Sequence, residues 1–89
     1  MSIYADACYN IALNCIADSD TFGHAFNNYV TSRELGEWAA LERAKFNPER
    51  AKRYGGSQKA WDEKVWRIAK DAWKDAMADA GKPGKAVEA

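Results

Sequence analysis

The chain has 89 residues and a formal net charge of zero, since 13 basic side chains balance 13 acidic ones. A chain of this length forms one domain with a small core, and its overall charge lacks the basic excess usual for a nucleic-acid-binding domain. It is 47% hydrophobic, but 17 residues are alanine and only ten are Ile, Leu or Val. We therefore expect closely packed, alanine-lined helices whose gaps are filled by aromatic rings.

Two helices are predicted in residues 1–30. Ser2 can cap the first, which covers residues 3–17, because apolar positions recur there every three or four residues. Its apolar side consists of Tyr4, Cys8, Ile11, Ala12 and Cys15. Asp18-Ser19-Asp20 predicts a break and a new cap before a second helix over residues 21–30. The apolar side of that helix consists of Phe22, Ala25, Phe26, Tyr29 and Val30.

A third helix is predicted to follow, as far as about Phe46. Thr31 and Glu34 fit a capping box, in which a threonine caps the helix and a glutamate three residues later reaches back to it. The predicted buried side of this helix is Leu35, Trp38, Ala39, Leu41 and Phe46. Since no residue between Val30 and Glu34 forbids a continuous helix, residues 21–46 form either one helix or two.

Positive charge is concentrated in residues 43–59, which carry six cations and one acid and so have a net charge of +5. Residues 1–42 have a net charge of −5, and the charges of residues 60–89 cancel. Asn47-Pro48-Glu49 is a helix start signal, because Asn can cap and Pro needs no N–H partner there. We expect a short basic helix to Tyr54, stopped by Gly55 and Gly56.

The clearest predicted helix covers residues 58–80, between a Ser57 cap and the stop signals Gly81 and Pro83. Its apolar residues cover about half of the helix circumference, which is wide for a helix that packs on one side only. They are Trp61, Val65, Trp66, Ile68, Ala69, Ala72, Trp73, Ala76, Met77 and Ala80. We expect this helix to lie centrally; the alternative is that a flank with Trp66, Trp73 and Met77 is left for a partner.

These elements predict an all-α fold, a compact bundle of four to five helices with a long amphipathic C-terminal helix. We expect residues 1–81 to form a single domain and residues 82–89 a mobile tail. No apolar run approaches the roughly 20 residues that a membrane span needs, and no signal peptide is recognisable. We expect no membrane contact, a cytoplasmic location, and thiols of Cys8 and Cys15 that are reduced, buried and too far apart for a disulfide.

No catalytic, cofactor or metal site is predicted. Asp18 to Gly23 partly matches a calcium loop, but Tyr29 occupies the position of the carboxylate that closes such a site. His24, the single histidine, is expected to be a partly buried ring. Asp71 and Asp75 share one helix face, but they lie among cations, as on a solvated surface. We therefore expect no enzymatic activity.

An anion such as a phosphate would suit the helix start at Ser57, with its glycines and the nearby Lys59. These residues are also explained as a helix stop, a cap and solvated cations, and we favour that simpler interpretation. No zinc-ligand spacing and no phosphate-binding loop motif occurs in the chain.

We expect a small non-enzymatic protein that binds a larger protein or complex as a modulator or inhibitor. Proteins of this kind include accessory proteins of phages and mobile elements, among them inhibitors of CRISPR complexes. The predicted contact residues are Arg43, Lys45, Arg50, Lys52, Arg53, Tyr54, Lys59, Trp66 and Trp73. One alternative is nucleic-acid binding, with the cations of residues 43–59 on phosphates and Tyr54 stacked on a base. A second alternative is self-association into a homodimer, in which the acidic N-terminal region of one chain meets the basic segment of another.

Overall fold

The computed structural model describes residues 2–51 and 56–83. Within these ranges the chain is all-α, as predicted, and its helices are α1 (Ile3–Ala17), α2 (Phe22–Val30), α3 (Arg33–Arg43), the one-turn α4 (Pro48–Ala51) and α5 (Gln58–Ala80). The predicted end of the basic helix at Tyr54, the Gly55 stop and the tail beyond residue 83 lie outside the described residues.

Serine and threonine side chains begin each of the four long helices. The hydroxyl oxygens of Ser2, Thr21, Ser32 and Ser57 each accept a hydrogen bond from the backbone N–H three residues later. Such a bond satisfies one of the N–H groups that the first turn of a helix leaves without a partner. The caps of α1 and α5 agree with prediction, and so does the bound at Gly81, which ends α5 with a φ of 77° that suits glycine.

Two predicted caps are wrong by one or a few residues. Thr21, rather than the Asp18-Ser19-Asp20 segment, caps α2, and Asp18 instead ends α1. Ser32, rather than Thr31, caps α3, so the predicted capping box with Glu34 does not form. Thr31 ends α2 and donates its hydroxyl to the carbonyl of Asn27 at 2.7 Å. Thr31 has backbone angles of −99° and 1°, which differ from the extended angles of an N-cap residue, so it does not cap the next helix.

Residues 21–46 form two helices rather than one, because Ser32 adopts extended backbone angles of −61° and 128°. The third helix also stops earlier than predicted, at Arg43 instead of Phe46. Beyond Arg43 the chain continues as a tight turn, in which the N–H groups of Lys45 and Phe46 bond to carbonyls three residues back. This turn leads directly to Pro48 at the start of α4.

α1 and α5 lie side by side and run in the same direction. Tyr4, in the first turn of α1, reaches Val65, and Tyr9, farther along α1, reaches Asp79 near the end of α5. α2 and α3 return antiparallel to them: the start of α2 lies near the second half of α5, and the end of α3 lies near its start. The indole N–H of Trp61 marks that end, since it donates to the carbonyl of Glu42 at 3.0 Å.

α1 packs extensively against α2, α3 and α5 and is therefore the central helix, whereas the sequence predicted that position for α5. The buried hydrophobic residues come mainly from α1 and α5, with fewer from α2 and α3. Leu41 was predicted to be buried but is 62% exposed. No helix among residues 2–51 and 56–83 combines the length and the apolar character needed to cross a membrane.

Candidate partner-binding surface

The basic segment predicted from the sequence is only partly described. Arg43, Lys45 and Lys59 are exposed, and Lys45 forms an ion pair with Glu42 at 3.1 Å. Only the backbone of Arg50, which belongs to α4, is described, and its side chain is not. Three further predicted contact residues, Lys52, Arg53 and Tyr54, lie outside the described residues. The role of this segment as a binding surface therefore stays a prediction.

Trp73, predicted to lie on an exposed flank, is a core residue with 6% of its surface exposed. Its ring packs at 5.2 Å from the ring of Phe26, edge to face, and at 5.3 Å from that of Tyr29. Met77 on the same flank is half-buried. A helical wheel places Trp66 and Trp73 on the same flank of α5, but α2 covers only Trp73. The periodicity of α5 alone does not show this difference.

Trp66 is the exposed aromatic residue of α5, with 43% of its surface accessible. The ammonium group of Lys70, one turn later, lies 5.9 Å from the centre of the Trp66 ring. At this distance a lysine is attracted to the face of an indole ring. A large ring held at the surface beside a cation is a common centre of protein contacts.

α2 contributes two further half-exposed apolar side chains, Phe26 at 36% and Val30 at 37%. Phe26 contacts Trp73, whereas Tyr29 reaches the carbonyl of Ala69, so successive residues of α2 meet earlier residues of α5. Val30 lies one turn after Phe26 on α2. Phe26 and Val30 were predicted to lie on the apolar side of α2 and were not predicted as contact residues.

Charge on this side of the molecule is mixed. α2 contains no charged residue, and helical periodicity places Lys59, Lys70 and Lys74 on the same flank of α5 as Trp66, together with two acids, Asp62 and Glu63. We call the surface formed by Phe26, Val30, Trp66, Lys59, Lys70 and Lys74 the α2–α5 face. The signal that could have identified it is the spacing of these lysines along one edge of α5.

The opposite edge of α5 carries Asp71 and Asp75, and helical periodicity places Lys64 and Arg67 beside them. Asp71 and Asp75 of α5 and Asp6 of α1 line a groove of about 340 Å³ between the two helices. Tyr9, in the same groove, donates its hydroxyl to the carboxylate of Asp79 at 2.5 Å, and this bond raises the pKa of Tyr9.

A polar cluster of Tyr4, Cys8 and Tyr29 lies in the core between α1, α2 and α5. Burial raises the pKa of both tyrosines and of the Cys8 thiol, and the thiol interacts with both hydroxyls. A thiol with a raised pKa stays protonated and is a poor nucleophile. The cluster therefore stabilises the fold through hydrogen bonds rather than providing a reactive group.

The turn between α1 and α2 forms a polar cleft of about 320 Å³ that includes Asp18, Asp20 and His24. His24 is exposed, contrary to the prediction of a partly buried ring, because it lies on the outer side of α2. Ser19 is buried and accepts a hydrogen bond from Asn28 at 3.1 Å. Among the described residues, no group of three or more His, Cys, Asp or Glu side chains is arranged to hold a metal ion.

No protein-family model, curated protein sequence or solved structure matches this chain. The functional interpretation consequently rests on the surfaces described above.

Proposed function

We propose that this chain is a small, non-enzymatic helical protein that acts by binding another protein, as a modulator or inhibitor, through the α2–α5 face. The observation that carries this proposal is the exposure of Trp66 beside Lys70, on a surface that also displays Phe26 and Val30. A small domain gains stability by burying aromatic rings. Leaving three apolar side chains half-exposed on neighbouring helices is consistent with a surface that a partner covers.

Nucleic-acid binding through residues 43–59 is the alternative, and the exposed Arg43, Lys45 and Lys59 favour it. Phosphate contacts would make affinity fall steeply with rising salt. Binding to DNA and RNA at two ionic strengths checks this alternative. Absence of binding at the lower ionic strength rejects it.

The proposal is tested by photo-crosslinking in cells that produce the protein naturally. A benzoylphenylalanine replaces Val30 on the α2–α5 face, and the control carries the same group at Asn10, which is exposed on the outer side of α1. We expect a specific protein adduct from position 30 that position 10 does not give, and we expect Trp66→Ala to abolish it. Mass spectrometry identifies the attached protein.

Absence of any protein adduct at position 30, or identical adducts at both positions, contradicts the proposal. A nucleic-acid adduct supports the alternative function. An adduct with a second copy of the chain supports self-association, which sedimentation at low and high salt then checks.

A further inference from the structure

We draw no further inference here: the strongest candidate, the groove of about 390 Å³ between the last turns of α1 and α5 that is lined by Leu13, Ile16, Ala17 and Ala80, carries none because nothing in the described part of the chain shows what covers it.

Discussion

The hydroxyl of Tyr29 donates a 2.6 Å hydrogen bond to the backbone carbonyl of Ala69, which joins α2 to the middle of α5. Tyr4 makes the equivalent bond to the carbonyl of Val65, one turn earlier, at 3.3 Å. Carbonyls four residues apart lie on one face of a helix. The two tyrosines therefore help to set the position of α5 along α1 and α2.

Removing the Tyr29 hydroxyl should destabilise the fold modestly. In Tyr29→Phe the carbonyl of Ala69 keeps its bond within α5, so the loss is that of one buried hydrogen bond, about 1 kcal/mol in the free energy of unfolding. Tyr4→Phe, whose bond is longer, should cost less. Urea denaturation measures both, and equal stability of Tyr29→Phe and the unaltered chain would contradict the assigned bond.

The fold should lose stability at alkaline pH. Burial raises the pKa of Tyr4, Tyr29 and Cys8 in the folded state above their ordinary values of 10.0, 10.0 and 9.0. Unfolding returns these groups to their ordinary pKa values, so above about pH 9–10 the unfolded chain releases protons that the folded chain keeps. The stabilisation is complete below that range and is lost as pH rises through and beyond it.

Urea midpoints at increasing pH measure this effect, and Tyr29→Phe is the control because it removes one of the buried ionisable groups. Its stability should decline less steeply above pH 10 than that of the unaltered chain. A flat stability profile from neutral pH to well above pH 10 would show that the hydroxyls are not buried as described.

The two tryptophans of α5 should differ sharply in their contribution to stability. Trp73→Ala removes a buried ring that packs on Phe26 and Tyr29, and should cost about 3–5 kcal/mol in the free energy of unfolding. Trp66→Ala removes a half-exposed ring, and should cost about 1 kcal/mol or less. Thermal and urea unfolding measure both.

Because Trp73→Ala can abolish folding in so small a domain, Trp73→Phe provides a milder comparison that should still be less stable than Trp66→Ala. If Trp66→Ala were the more destabilising change, Trp66 would be a core residue and the α2–α5 face would lose its central aromatic ring.

Substitution of two glycines by alanine should change the stability of the fold in opposite directions. Gly81 ends α5 at a φ of 77°, and although an added Cβ meets no atom there, Gly81→Ala should cost about 1 kcal/mol in backbone strain. Gly36 lies within α3, where an added Cβ also meets no atom, so Gly36→Ala should gain about 0.5–1 kcal/mol. Melting temperatures of the two variants test the contrast, and shifts of the same sign would contradict it.

The cysteines should differ in their rate of alkylation. Cys8 is fully buried beside Tyr4 and Tyr29, whereas Cys15 is half-buried on the same helix. Iodoacetamide should modify Cys15 first, and Cys8 only when the domain opens globally. Mass spectrometry of the native protein against time gives both rates, with the urea-unfolded chain as the reference. Equal native rates would place Cys8 nearer the surface than the structure does.

The bounds of α1 and α5 were predictable from the sequence, because capping residues and apolar spacing act within a few residues of the chain. Ser2 and Ser57 each precede a clear apolar repeat, and Gly81 follows one. The α2–α3 boundary was harder to predict, since Thr31 and Ser32 are both good caps and the structure distinguishes them by the extended backbone of Ser32. The all-α class followed from the same local signals.

Burial of individual rings was decided by tertiary structure. Trp66 and Trp73 occupy the same flank of α5 in sequence, and Phe26 and Tyr29 of α2 cover only the second. Leu41 was grouped with the core residues of α3, yet it lies off the stripe of Leu35, Trp38, Ala39 and Glu42 that the other helices cover, and it is exposed. Local sequence determines where helices begin, end and carry apolar residues; which of those residues are buried depends on the other helices that pack there. The candidate surface has residues on both α2 and α5, and neither helix alone shows which of them stay exposed.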